Sequence, residues 1–381
     1  MADLRFGPRT SALAYLTFGR LILNTAARFV FPFLPAISRG LGVSLEQAGL
    51  LISVRSLAGL ATPVVVAGAG ERRQRLAAIG LAFFVIGASL TAGAVGYGWA
   101  LAGFALMGVA KPAYDIASQS YLADHTPYER RARYLTITEL TWSGSLLVGA
   151  PAVGWLIDRS DWQAPFWALA SLGVLALAIL PRVVQDRSAG VAPRPGRLSL
   201  DRSGVALLGA MGIIAFGADV SFVVFGAWLE SSFGLSLLAL GGAATLLGLA
   251  ELTGEGGTLA FADRIGKRRS VVLGLVLSST GYALWAVASS HLGLGLGVLA
   301  VALVGFEFAI VSALPLATEI VPHARARFLA LGMVAFAVAR AAATAIGPAL
   351  FESAGVVGNA MVSTAANLLA LGLVLAAVRH H

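Results

Sequence analysis

Twelve apolar runs of about 20 residues each, separated by short polar stretches, leave this chain few folds to choose from. They fall at residues 12–35, 46–67, 76–95, 99–122, 134–157, 165–183, 204–229, 237–261, 270–289, 294–320, 328–350 and 355–378. A run of that length crosses the hydrocarbon core of a bilayer as a helix. Only helices or closed barrels satisfy every backbone polar group there. With 58% apolar and 12% charged residues, against about a quarter charged in an ordinary soluble domain, the chain reads as an all-α polytopic membrane protein. The N-terminal MADLRFGPRT is polar and leads into a full apolar run, so no cleaved signal peptide is expected.

The longest polar interval, 185–203, divides the runs six and six. The reading is an N-terminal six-helix bundle over 1–184, a cytoplasmic linker over 185–203 and a C-terminal six-helix bundle over 204–381. Basic residues set the orientation. With the N-terminus inside, 20 of the 27 Lys and Arg fall on the cytoplasmic side, only Arg39 and Arg159 fall opposite, and five lie within the runs. That bias puts both termini in the cytoplasm, with a prokaryotic cytoplasmic membrane as the expected location. The net charge of +8 is therefore topology, and no nucleic-acid partner is expected. The chain has no cysteine, and its histidines (125, 291, 323, 380 and 381) lie in loops or the tail. No metal site, cofactor or thiol chemistry is expected.

The two halves echo each other. LADHTPYERRARYL at 122–135 has a counterpart in LATEIVPHARARFL at 316–329. Each places an acid three residues before a proline (Asp124 and Pro127, Glu319 and Pro322), then Arg-Ala-Arg, an aromatic residue and Leu. Gly149-Ala150-Pro151 is echoed by Gly347-Pro348. Parallel repeats of this kind build several transporter folds.

The stretch from Tyr121 to Trp167 carries a family resemblance. Tyr121–Asp124, Pro127 and Arg131, then Gly149, Pro151 and Gly154, then Trp162 with Pro165-Phe166 resemble the helix 4–loop–helix 5 region of the major facilitator superfamily, most closely its drug/proton antiporter branch. A second motif of that family, the charged loop after helices 2 and 8, is matched by Asp263, Arg264, Gly266, Lys267 and Arg268, and more loosely by Glu71, Arg72, Gln74 and Arg75. Three positions depart from the pattern. Ala150 rather than a glycine precedes Pro151, Leu259 replaces a leading glycine, and Phe104 stands where helix 4 of the family often has an arginine. The resemblance implies twelve transmembrane helices as two pseudo-symmetric six-helix bundles. Helices 1, 4, 7 and 10 would line a central cavity, 2, 5, 8 and 11 would form the moving interface, and 3, 6, 9 and 12 would stand outside. It also implies gate or interface roles for Asp263, Arg264, Gly149 and Pro151.

The charges inside the runs follow that division. Arg20 and Arg28 lie in run 1, Arg55 in run 2, Lys111 and Asp115 in run 4, Glu139 in run 5, Asp219 in run 7, Glu251 and Glu255 in run 8, Glu307 in run 10 and Arg340 in run 11. Runs 3, 6, 9 and 12 have none between their ends, apart from Arg182 at the end of run 6. Ionisable groups at bilayer depth face a cavity or a partner. Arg20, Asn24 and Arg28 recur every four residues and share one helix face. They join Lys111, Tyr114, Asp115, Trp142, Asp219, Phe222 and Glu307 as candidate cavity residues. Lys111 and Asp115 have the spacing of a pair within one helix, and Arg20 is near enough to an end to snorkel. Asp219 and Glu307 lack a basic neighbour on their own helices. They lead the proton-coupling candidates, with Glu251, Glu255 and Asp115 behind them. Glu251 and Glu255 either share a proton or bridge to Arg340. Arg55, Glu139 and Arg340 are assigned to the gate or interface.

These features together predict a secondary active transporter, not an enzyme, with a small-molecule substrate, protons and membrane lipid as partners, acting as a monomer. The favoured activity is proton-coupled, multidrug-like export by rocker-switch alternating access. The five intramembrane cations keep a second reading open: an organic-anion or lipid-headgroup transporter or flippase.

Overall fold

The computed structural model describes residues 10–69, 72–184, 200–321 and 324–378. Glu71, Pro322, His323, most of the expected linker (185–199) and the C-terminal histidines lie outside the described residues. No strand occurs among the described residues.

In the first half α1 runs Thr10–Arg28 and, after a turn at 29–33, Leu34–Leu41. Then follow α2 (Leu45–Ala69), α3 (Arg73–Ala92) and α4 (Tyr97–His125). Helix α5 continues from Tyr128–Glu139 through a π-helical turn at Ser145–Gly149 to Ala150–Arg159, and α6 is Ala164–Val183. In the second half α7 runs Arg202–Phe222 and Phe225–Phe233. It is followed by α8 (Leu237–Ile265), α9 (Lys267–Ala288) and α10 (Leu292–Ile320). The last helical stretch, Arg325–Ala377, reverses at Gly355, whose φ of 64° and ψ of −172° split it into α11 and α12. Nine helical stretches among the described residues are long and apolar enough to cross a membrane, and one of them is this double span. The remaining two spans are α1, interrupted at Pro32, and α4, whose apolar character is diluted by Lys111 and Asp115. Twelve spans result, the number read from the sequence.

Several ends differ by a few residues. Helix α7 starts inside the expected linker because the Asp201 side chain accepts a 2.8 Å bond from the Gly204 amide and caps it. Helix α1 breaks at 29–33, where Pro32 has no amide hydrogen to continue the ladder.

Helices α1–α6 pack on one another as one lobe and α7–α12 as a second. The lobes meet chiefly where α2 packs along α11 and α5 along α8. The hairpins entering α2 and α8 are alike residue for residue. Gly42 and Gly234 take the left-handed conformation (φ 65° and 62°), and Ser44 and Ser236 then cap the next helices. Seven residues past each of those glycines a second glycine meets a proline of the opposite lobe. A Cβ on Gly49 would lie 2.7 Å from Pro348 Cγ, and one on Gly241 would lie 2.9 Å from Pro151 Cα. Each proline also deprives a carbonyl one turn earlier of its helical donor. The carbonyl freed by Pro151, that of Leu147, receives Thr245 Oγ1 from α8 at 3.3 Å. The lobes are thus pressed together on the side remote from the termini. Gly226 against the Pro32 carbonyl and an Arg39–Glu230 ion pair at 2.8 Å lie on the same side.

Candidate functional site

One face of α1 meets one stretch of α5. Arg20 donates to Thr138 Oγ1 at 3.1 Å and to both carboxylate oxygens of Glu139 at 2.7 and 3.1 Å. Asn24 donates to Thr141 Oγ1 at 2.9 Å, and Arg28 to the Trp142 carbonyl at 3.3 Å. The four-residue spacing on α1 produces this row directly. Arg20 also reaches Asp115 at 3.0 Å, and Lys111 reaches the other oxygen of Asp115 at 2.6 Å. Arg20 is only 4% exposed. It therefore does not snorkel to an interface but ties α1, α4 and α5 into one polar network. Glu139, by contrast, keeps 53% of its side chain exposed.

Arg28 does something different. Its guanidinium forms a two-pronged pair with Glu251 of the opposite lobe, at 2.6 and 2.5 Å, with both side chains 3% exposed. The ring of Trp142 lies 4.3 Å from the guanidinium carbon and that of Phe222 5.5 Å. One turn further along α8, Glu255 accepts 3.2 Å from Ser143 of α5, again across the lobes. The expected Glu251–Arg340 bridge is therefore replaced. Arg340 pairs with Asp219 within its own lobe at 2.7 and 3.4 Å, and Glu251 pairs with Arg28. Such pairings depend on how helices are rotated against each other, which spacing along one helix does not determine.

Trp142 is the hub of this centre. Besides Arg28, Lys111 lies 5.5 Å and Arg340 5.8 Å from its ring, so cations from α1, α4 and α11 surround one indole. Two buried charged groups have neither a hydrogen bond nor an ion pair among the described residues. Glu307 on α10 is 5% exposed and makes no hydrogen bond or ion pair among the described residues; its electrostatic neighbours are Glu251, Glu255, Arg28 and Arg340. Arg55 on α2 is 8% exposed, its Nη1 is buried with no acceptor, and its one ring contact is Phe104 at 5.9 Å. A contact of that kind contributes about 2 kcal/mol to a desolvated cation. Burying the ion costs several kcal/mol. The ring does not balance the burial.

Not every candidate reaches the cavity. Tyr114 is fully buried, with its hydroxyl 3.4 Å from the Leu16 carbonyl and pressed against Gly19, so it belongs to the α1–α4 packing. Phe222 is 5% exposed and packs with its ring tilted against Phe31 at 5.0 Å, in the contact between lobes. Gly149 packs on Thr25 of α1, and Pro151 on Gly241 of α8. Asp263 and Arg264 are exposed at the end of α8, and Asp263 lines a surface depression with Lys267 and Glu319. Two ion pairs related by the internal repeat flank the same face: Arg73–Asp124 at 3.4 Å and Lys267–Glu319. Sequence reasoning missed the Arg39–Glu230 pair and the Ser53–Thr344 contact at 2.9 Å, both between lobes. The repeated Gly-x-Ser-Leu-x-x-x-Gly at 42–49 and 234–241 was the available signal for the region where they lie.

Two six-helix lobes around a buried, charged and aromatic centre define an integral membrane protein with a carrier's architecture. The family described as Major Facilitator Superfamily matches residues 16–254, more than half of the chain, and the chain belongs to that superfamily. Among curated relatives it is 26% identical over 243 residues to the uncharacterized MFS-type transporter YbcL of Bacillus subtilis, covering 61% of each protein. It is 26% identical over 215 residues to the inner membrane transport protein YdhP of Escherichia coli K12, covering 56% of this chain and 55% of that one. The matched part thus spans less than two thirds of these relatives. Among solved structures, a D-xylose–proton symporter superposes with a TM-score of 0.79 at 16% identity, covering 98% of both chains. A bacterial homolog of the human lysosomal transporter Spinster, inward-facing and unoccupied, superposes at 0.73 and 13% identity, covering 98% of this chain and 95% of that one. At these identities the likeness concerns the fold.

Proposed function

We propose that the protein is a secondary active transporter that exports a small organic compound in exchange for protons, by rocker-switch alternating access. The observation that carries this reading is the Arg28–Glu251 pair, a buried ion pair joining the lobes beside a carboxyl group, Glu307, that has no partner. Protonating the acidic cluster of Glu251, Glu255 and Glu307 removes the charge that holds Arg28 and loosens the lobes. Losing the proton restores the attraction. Such a switch couples a proton to the movement of two rigid bodies.

With both termini in the cytoplasm of a prokaryotic cell, the contacts around Gly49 and Gly241 close the outer side, and the cavity faces inward. The bacterial relatives support that placement. The bundles at 1–184 and 204–381 then act as the two moving bodies of a monomer. The test is flux in proteoliposomes under an imposed pH gradient, over matched cationic, neutral and anionic compounds. Uptake driven by a gradient acidic on the acceptor side supports the reading. Flux indifferent to the gradient for every compound contradicts it.

A second reading, transport of an organic anion or a lipid headgroup, is favoured by one observation: an unpartnered guanidinium at Arg55.

A further inference from the structure

We propose that Arg55 of α2 is the binding point for an acidic group (carboxylate, phosphate or sulfonate) on the transported compound, with Arg340 of α11 completing the site from the other lobe. This inference rests on the transporter reading and names the chemical class of its substrate.

Five cations lie within the membrane spans, and four have a carboxylate close by. Arg20 and Lys111 share Asp115, Arg28 has Glu251, and Arg340 has Asp219, each at 3.0 Å or less. Among the described residues Arg55 has no hydrogen-bond acceptor. Its electrostatic neighbours are Arg340 and Asp219. Two guanidiniums therefore attend one carboxylate, and Arg340 already holds both of its oxygens. Arg55 is left without a carboxylate of its own.

The backbone explains why Arg55 stays there. A Cβ on Gly108 of α4 would lie 2.1 Å from the Arg55 carbonyl oxygen, so α2 and α4 are pressed together at this level. Ser53, two residues earlier, donates to the Ala341 carbonyl of α11 at 2.8 Å. That bond sets α2 beside the turn of α11 that carries Arg340. The guanidinium is thus fixed at the contact between lobes, buried and without an acceptor of its own. A planar guanidinium accepts a carboxylate or phosphate through two parallel bonds, which an ammonium group does not match. Trp142, 5.8 Å from Arg340, offers an aromatic wall for the compound's apolar body. An amphiphilic acid fits both parts. Because the two arginines come from different lobes, the acid binds most tightly while the lobes are closed around it.

The test measures binding to the purified full chain in neutral phosphatidylcholine nanodiscs, without flux. The probes are acetate, benzoate and 4-phenylbutyrate, with 4-phenylbutyramide and 4-phenylbutylamine as matched neutral and cationic partners. At least one acid is expected to bind about tenfold or more tightly than the amide, since losing one partner of a buried charge pair typically costs more than that factor. Arg55→Gln abolishes the preference by lowering acid affinity more than amide affinity, and Arg55→Lys retains part of it. A second arm adds phosphatidylglycerol to the nanodisc. Competition with the probe that depends on Arg55 identifies a lipid headgroup as the source of the acid, and its absence identifies a soluble acid. The proposal is overturned if no acid binds better than the amide, if the amine binds best, or if Arg55→Gln leaves acid affinity intact. The wild-type comparison of acid with amide holds even where a variant folds poorly. Failure of pH-driven flux in proteoliposomes removes the export reading and leaves this binding result standing.

Discussion

Arg28 and Glu251, 223 residues apart in the chain, meet through two bonds of 2.6 and 2.5 Å at the boundary between the two lobes. Removing one member of such a buried pair strands the other charge at a cost of about 3–5 kcal/mol, whereas replacing both with apolar groups is often neutral. Arg28→Met and Glu251→Leu singly are therefore expected to lower the unfolding midpoint in detergent steeply, and the double variant to recover most of the loss. Additive losses in a double-mutant cycle would show that the two groups act separately.

Glu307 gives a contrasting prediction. The charged groups facing it are Glu251 and Glu255 from α8, Arg28 from α1 and Arg340 from α11. Glu307→Gln keeps the volume and removes the carboxyl proposed to take a proton. The variant is expected to fold at least as well as wild type and to carry substrate at a rate indifferent to pH. An unchanged pH dependence of initial rates would move proton coupling to Glu251 or Glu255.

The paired glycines yield a steric test. A Cβ at Gly49 would sit 2.4 Å from the Thr344 carbonyl oxygen, and one at Gly241 would sit 3.0 Å from that of Ala150. Gly49→Leu and Gly241→Leu are expected to wedge the lobes apart on the side remote from the termini. A spectroscopic distance between labels placed on the two lobes at that side would lengthen in both variants. A distance unchanged in either one would show that its contact is too soft to act as a seal.

Surface pairs are expected to matter far less. Lys267 and Glu319 keep 28% and 46% of their side chains exposed. Lys267→Ala is thus expected to change stability by no more than about 1 kcal/mol, measured by the same unfolding assay. A larger loss would mean that the pair contributes to the tertiary structure of the second lobe.

Much of this arrangement is legible in the sequence, because the bilayer imposes a length and penalises charge. The twelve spans, the repeat around Asp124 and Glu319, and the confinement of Arg20, Arg28, Glu251 and Glu307 to eight helices all follow from that solvent. The α1 face made by Arg20, Asn24 and Arg28 follows from helical periodicity, and all three meet α5. What periodicity leaves open is the rotation of one helix against another, since spans this apolar carry little amphipathic signal. For that reason the sequence left Glu251 undecided between Glu255 and Arg340, while its partner is Arg28. Tyr114 was placed with the cavity residues for the same reason: one turn of α4 presents Lys111 and Asp115 to the polar network while Tyr114 packs against α1. The Ser-capped hairpins at Gly42 and Gly234 lay in plain view. Their meaning needed the prolines of the facing lobe.

The rocking of the two lobes is tested most directly by tying them together. The chain has no cysteine, and Ser53 Oγ and Thr344 Oγ1 lie 2.9 Å apart across α2 and α11, within reach of a disulfide's roughly 3.8 Å Cβ separation. In proteoliposomes containing the Ser53→Cys/Thr344→Cys variant, flux is measured before oxidation, after oxidation and after reduction. The account predicts that oxidation stops flux, that reduction restores it, and that each single variant transports throughout. Undiminished flux through a fully cross-linked protein would contradict it.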